Sequence, residues 1–484
     1  MVPPVGRPGG RVVRRPGANW YDRHSVMASP TAQIAEFAAA YRYEGLPPAV
    51  AGKAREIVLD TIGAMLLGAG LEYTAVSRVA ALARDVGGPP QCTVIGYGFQ
   101  TDLLSAALVN GTAGYAADVE GAGIGRQHAA AVLVPTILTV GEYTRASGRM
   151  LVAALALGYD VAARIDDAAA TERSYPHSFH PSAVFGHFGA AAAAGHLFGL
   201  RPDGFERALG LAGLTAGGLI KWIDDPSEDS RPLVIGNAVQ LGIRAALLAA
   251  RGFGGPRGIL DPGKYDLYDA LSGEAHVERL TVGLGSDHRI LAAGGYKRYA
   301  CCGDIHTGID ALLAILGRHD LPPERIARIV HRVHPNRAKV IDGNPLKSHC
   351  AQYILAVAAV ERRIDSDAIL RDRRASDRRV AELFERVELV ADEELAGAGA
   401  HQPAIVELTT TDGRRYRERV DDRRGSPANP MTPDELRGKF FELVERRLGR
   451  PRAEEIAGLV DRFETLPNVA RLIELLSWVA DVAE

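Results

Sequence analysis

From Pro30 to about Gly273 apolar residues recur at three-and-four spacing, segment after segment, a period that fits helices and not strands. "TAQIAEFAAAYRY" and "AVAGKAREIVLDTIGAMLLGA" carry it first. "LLSAALVNGTAGYAAD", "MLVAALALGYDVAARI" and "VFGHFGAAAAAGHLFGL" follow, rich in alanine and glycine. Small side chains let helix axes approach closely, so these segments predict the inside of a helix-on-helix bundle. An aromatic content of only 6% agrees with such packing.

The texture changes near Leu291. "RIARIVHRVHP" and "RVELVAD" read as strands, and "AIVELTTTDGRRYRERV" reads as a hairpin turning at Asp412-Gly413. Helical patterns, "DIHTGIDALLAILGRH" and "SHCAQYILAVAAVERR", lie between them. After the turn-rich "RRGSPANP", helical periodicity returns in "TPDELRGKFFELVERRL" and "ARLIELLSWVADV". The expected fold class is mainly α. A large all-helical domain would come from residues 30–292 and 425–484, with a smaller α+β domain, residues 293–424, inserted between them. Residues 1–29 are Pro/Gly/Arg-rich, lack the apolar stretch of a secretory signal, and are expected to be disordered.

Charge and composition exclude some function classes. Lys+Arg 56 against Asp+Glu 59 leaves no basic excess for a polyanion, so nucleic acid is not an expected partner. Four cysteines in 484 residues are too few for a disulfide framework and suit a reducing compartment, so a cytoplasmic location is expected. The longest apolar runs, such as "GIRAALLAARG", are interrupted by arginine short of the roughly 18–20 residues of a membrane span. No membrane partner is expected.

Four segments hold side chains able to do chemistry. In "GGYKRYACCGDIHTGIDALLAIL", Cys301 and Cys302 stand five and four residues ahead of His306. Cys92 and Cys350 have no partner at metal-ligand spacing, so a metal clamp is not expected. Adjacent cysteines also lack the two-residue spacer of a redox pair. A nucleophile with its base remains open, as does a turn that delivers one polar side chain and His306 to a cleft, with Asp304 as a helix cap or first-turn acid. In "HSFHPSAVFGHFG", Pro181 fixes the entry to a helix and holds His180 at its start, while His177 and His187 read as surface or core histidines. "NGTAGYAADVEGAGIGRQHAAAVLVP" offers Asp118, Glu120 and His128. Its "GAGIG" is no dinucleotide cradle, because no strand leads in; a loop with carboxylates at one end and an imidazole at the other is expected. Arg231, in "EDSRPLVIGNA", opens an apolar helical run, where its planar fork suits a carboxylate.

These four pieces, in this order, together with the tail "GSPANPMTPDELRGKF" (Gly425–Phe440), resemble the MmgE/PrpD family. That family includes 2-methylcitrate dehydratases, cis-aconitate decarboxylases and an iminodisuccinate epimerase. The resemblance runs from about Pro30 to the C-terminus, and "YACCGDIH" looks like the version in decarboxylase-like members. It implies a helical domain with an inserted lid, a cleft between the two, a homodimer and no cofactor. By position it implies catalytic roles for Asp118, His128, His180 and His306, with Arg231, Cys302, Tyr115 and Lys297 binding the substrate.

The chain also departs from the family pattern. Tyr115 replaces a histidine, Glu120 and Gly121 replace an Asp pair, Ala122 sits where decarboxylases often have a hydroxyl, and Arg231 replaces a lysine. An arginine stays charged at any reachable pH, so Arg231 can anchor but not donate a proton. The expected function is a cofactor-independent lyase, a dehydratase or decarboxylase, acting on a small di- or tricarboxylic acid by acid–base chemistry. An isomerase or epimerase using the same proton transfers is the alternative, and a catalytically silent carboxylate-binding homologue is the third reading.

Overall fold

Helix α1 (Pro30–Ala40) starts where Ser29 accepts a hydrogen bond from the Ala32 N–H and a proline fills the first helical position, two local signals that set its N-terminus. In the computed structural model, the structure describes residues 29–70, 74–169, 178–271, 275–364, 377–396 and 402–477. The expected disordered stretch, Ser29 apart, and His177 lie outside those residues.

The chain is mainly α. Eight more helices follow: α2 (Pro48–Gly68), α3 (Thr74–Val86), α4 (Leu103–Ala116), α5 (Ala129–Thr144), α6 (Gly148–Ala168), α7 (Pro181–Leu197), α8 (Pro202–Gly213) and α9 (Ser230–Ala250). A two-stranded antiparallel ribbon, β1 (Cys92–Val94) and β2 (Phe99–Thr101), precedes α4. Helix α9 packs against α4, α7 and α8, and the close approach has a visible cause. A Cβ at Gly242 of α9 would lie 2.5 Å from the Cβ of Ala190 in α7, so only glycine lets the two backbones meet there. By length and composition α9 could cross a membrane, against the expectation that no run is long enough; here it is a packed helix, half buried.

Short helices α10 (Leu267–Leu271) and α11 (Glu278–Thr281) lead to α12 (His306–His319). A four-stranded sheet follows with α13 (Pro335–Ile341), α14 (Ala351–Glu361) and α15 (Arg378–Phe384) threaded through it. Its strands are β3 (Ile326–Val333), β4 (Val387–Ala391), β5 (Ala404–Thr410) and β6 (Arg415–Val420), in the order β4-β3-β5-β6. β4 is parallel to β3, the other pairs are antiparallel, and β5 and β6 form the expected hairpin around Asp412-Gly413. Helix α12 covers β5 and β6, and α14 covers β4. His306 itself opens α12, after Ile305. Asp304 is therefore not the cap of that helix; it is the acid in the first turn of the short 3-10 helix Gly303–Ile305 that leads into it, and its carboxylate pairs with Arg337 at 3.4 Å.

The chain then closes with α16 (Pro433–Leu448), α17 (Arg450–Asp461) and α18 (Ala470–Leu476). Thr432 and Glu435 form a reciprocal capping box at the start of α16. Helix α16 lies along α2, so chain from near the C-terminus packs on chain from near the N-terminus.

Candidate functional site

The α4–α5 connection, residues 117–128, folds back on itself. Asp118 and Ala122 both hold left-handed backbone (φ 51° and 52°), a strained choice for residues with side chains. The Tyr159 hydroxyl donates to the Ala122 carbonyl at 2.7 Å, and the Gly294 N–H donates to Gly123 at 3.1 Å, tying the loop to the segment that carries Lys297. The fold-back brings the loop's two ends together: His128 Nδ1 meets Glu120 at 3.0 Å. A loop joining a carboxylate to an imidazole was the expectation, and it is the arrangement present.

Lys297 Nζ bridges both acids, donating to Asp118 Oδ1 at 2.5 Å and to Glu120 Oε1 at 3.1 Å. Arg231, at the first turn of α9, donates to the Ala116 carbonyl at 3.1 Å and approaches Asp118 at 3.5 Å. Its guanidinium lies 4.7 Å from the centre of the Tyr115 ring. The fork expected to stand open for a substrate carboxylate is thus already engaged by protein acceptors. The guanidinium is only 1% exposed, and its Nε remains without a hydrogen-bond partner. Burial alone would push the Asp118 carboxyl up, but Lys297 and then Arg231 reverse this and hold it well below the usual carboxylate range. Glu120 is lowered in the same way, with Lys297 and His128 opposing burial. Lys297 is held up by Asp118 and Glu120 against its own desolvation, so two buried cations and two buried carboxylates persist as ions.

Above these charges stands a wall of rings. Tyr115 packs edge-on to His128 at 4.9 Å between centres, and His180 lies 6.1 Å from Tyr115 and 6.3 Å from His128. His180 is the residue before α7, and its N–H donates to the Gly218 carbonyl at 2.8 Å. Burial pushes its imidazole down to about 3, with His128 and Arg231 adding, so the ring is neutral at ordinary pH. Trp222 sits edge-on to His180 at 5.6 Å and to His349 at 5.8 Å, extending the wall to the start of α14. The His128 side chain keeps 34% exposure while Lys297, Asp118 and Glu120 keep 5% or less, so the cluster opens to solvent beside His128.

Asp118, His128, His180, Arg231, Tyr115 and Lys297 therefore meet. His306 stands apart: its Nε2 is at the Cys301 carbonyl, 3.3 Å away, and its ring packs edge-on to Tyr299. Burial drives its pKa well down, the charges of Lys297 and Asp118 also reach it, and its Nδ1 is buried without a hydrogen-bond partner. Cys302 is placed by its N–H to the Ser348 carbonyl at 2.9 Å, and burial raises its thiol, which disfavours the thiolate a nucleophile needs. Among the described residues no group of three or more His, Cys, Asp or Glu side chains is arranged to hold a metal ion.

Glu228, Ser348, His349 and Trp222 also border the site, and sequence reasoning did not select them. Ser348 and His349 lie in "PLKSHCAQYIL", where nothing in the spacing marks them; only the docking of α14's start onto Trp222 does so.

Comparison with known proteins agrees in extent. Residues 32–280 match the MmgE/PrpD N-terminal domain and residues 299–465 the MmgE/PrpD C-terminal domain. A cis-aconitate decarboxylase of Mus musculus is 26% identical over 475 residues, spanning 93% of this chain and 94% of its own. One of Aspergillus terreus is 25% identical, over 94% of this chain and 97% of its own. A cis-aconitate decarboxylase-like protein, oryM, of Aspergillus oryzae is 26% identical over 92% of this chain and 97% of its own. Matched along both parts of its length, the chain belongs to the MmgE/PrpD family.

Proposed function

We propose that this chain is a lyase that decarboxylates a small unsaturated di- or tricarboxylic acid of the cis-aconitate kind, by proton transfer from its own side chains. The observation that carries the reading is the Glu120–His128 pair, held at 3.0 Å at the exposed edge of a buried cluster of fixed charges. As the imidazolium, His128 donates Nδ1–H to Glu120 and turns Nε2–H outward as the proton to be delivered. When a carboxylate leaves a carbon next to a C=C bond, the breaking C–C bond supplies an electron pair. The double bond shifts by one position, and the far carbon takes up a proton. His128 is the residue placed to deliver that proton. Lys297 and Arg231 stabilise the negative charge that develops on the remaining carboxylates. The neutral His180 and Tyr115 line the face along which the substrate lies. The names of the relatives support decarboxylation over dehydration. In this reading the enzyme works as a homodimer and needs neither metal nor coenzyme, so turnover persists after treatment with a chelator.

The test is proton NMR in D₂O with cis-aconitate and related acids. The expected result is loss of carbon dioxide with one deuterium in the product. His128→Ala is expected to lose about 10²-fold or more in kcat, the usual worth of a positioned acid. Less than a tenfold loss in both His128→Ala and His180→Ala removes the reading. Deuterium exchange at a stereocentre without carbon dioxide would make the protein an isomerase.

A further inference from the structure

Ser348 lies between two groups that can both take its hydroxyl proton. Its Oγ donates to Glu228 Oε2 at 3.1 Å and lies 2.9 Å from Nδ1 of His349, while its N–H donates to Glu228 Oε1 at 3.4 Å. Ser348 is fully buried and His349 only 7% exposed, whereas the Glu228 side chain keeps 20% exposure. Glu228 reaches this place through a left-handed backbone (φ 58°), strain that the surrounding loop must hold. That loop is pinned by Asp225, which accepts from the Ser227 hydroxyl at 2.6 Å and the Ser230 N–H at 3.1 Å. Strain kept beside a partly buried carboxylate at a site edge points to a role for that carboxylate.

We propose that Glu228 and Ser348 are positioning residues that let His349 act as a proton donor to the substrate while its ring stays neutral. This rests on the proton-transfer reading of the site given above. A buried imidazole is costly to charge, and burial pushes His349 down to about 4. Among the charged and titratable groups that act on it, Asp118 raises its pKa while Arg231, Lys297 and His128 lower it. Glu228 feels Arg231, 4.0 Å away, and Asp118; burial, the largest influence, raises its carboxyl.

The hydrogen-bonded chain removes the need for an imidazolium. With Glu228 protonated, its O–H donates to Ser348, Ser348 donates to Nδ1 of His349, and the ring carries its proton on Nε2. When Nε2–H goes to the substrate carboxylate oxygen on which charge gathers, the Ser348 proton moves to Nδ1 and the Glu228 proton moves to Ser348. The ring ends neutral, with its proton on Nδ1, and Glu228 ends ionised. Once His128 has protonated the far carbon, that oxygen returns its proton to Nε2 and the same hops run backward. The one proton that decarboxylation consumes is the one His128 delivers.

Ser348→Ala and Glu228→Gln are expected to lower kcat by about 10²-fold with KM changed less than about threefold, and Ser348→Thr to restore kcat to within about threefold of the parent. Because the donating state needs protonated Glu228, parent kcat falls as pH rises through that carboxyl's pKa, and Glu228→Gln lacks this limb. Nitrogen-15 NMR of the histidine rings, without substrate, supplies a readout independent of turnover. His349 should pass from the Nε2–H to the Nδ1–H form with rising pH in the parent and not in Glu228→Gln. Kcat within twofold of the parent in Ser348→Ala, or turnover with no tautomer change at His349, overturns the proposal. A tautomer change intact in a protein that turns over no acid leaves the relay standing and removes the reaction assigned to the site. Should Ser348→Ala fail to fold, Glu228→Gln and the NMR titration decide alone.

Discussion

Gly121 occupies a position where the family pattern has an acid, and from the sequence that looks like the loss of a base. Its surroundings give another reason. A Cβ there would lie 2.5 Å from Tyr296 Cα and 3.0 Å from Asp60 Oδ2, and the Gly121 N–H donates to that same oxygen at 2.9 Å. The space an acid would use is filled by the Tyr296–Lys297 segment. Gly121→Asp is therefore expected to restore no activity and to destabilise the fold by at least about 2 kcal/mol, from overpacking plus an unpaired carboxylate near Asp60. Urea denaturation measures this, and a variant as stable as the parent would contradict it. At this scale the sequence carried much of the site. Asp118, His128, His180 and Arg231 were selected for their positions beside turns and helix starts, and they do converge. His349 was not, because its place depends on how α14 docks against Trp222, a tertiary fact with no local signature.

Strand β3 shows what the periodicity of an element conveys and what it omits. Its alternation predicted a strand, and β3 indeed pairs with β4 and β5. The same pattern gave no hint that His331, in mid-strand, faces α12 with neither ring nitrogen hydrogen-bonded. A Cβ on Gly308 of α12 would strike that imidazole, so the ring is packed as if it were apolar. Burial pushes His331 down to about 4. Between about pH 6.5 and 4 the unfolded chain therefore binds a proton that the folded chain refuses, and stability falls as pH falls through that window. His180, His187 and His349 are lowered for the same reason and act in the same direction. His331→Leu should be neutral to stabilising at pH 7 and remove up to about 3 kcal/mol of the acid-side loss. Denaturant melts at pH 7.5 and 5 compare the two proteins; an unchanged pH dependence would show that His331 is not buried neutral. The extra residues of the β1–β2 ribbon escaped notice because three-residue strands are too short to show any period.

Across the whole molecule, one buried ion pair joins distant parts of the chain to the site. Lys439 of α16 donates to Asp60 of α2 at 2.5 Å and to the Val119 carbonyl at 2.8 Å, and Asp60 in turn holds Gly121. Val119 and Gly121 flank Glu120, so α2 and α16 together fix the carboxylate that orients His128. Removing one partner strands a buried charge, at a cost of about 3–5 kcal/mol. Lys439→Met or Asp60→Asn alone should lose stability on that scale and also slow turnover, and the double variant should be less damaged than the sum of the two. Additive losses would mean the pair is not coupled. The helical return after "RRGSPANP" could be read from capping residues and period; that one of its lysines would reach the acid loop could not, since nothing local records it.

The separation of 379 positions between Asp60 and Lys439 also sets an order of events during synthesis. A ribosome-bound nascent chain whose α16 is still inside the exit tunnel carries the carboxylates and imidazoles already made, yet lacks the ammonium that fixes their loop. Competence therefore comes late, with the closing helix, and a prematurely terminated product would be inert however well its earlier helices had packed.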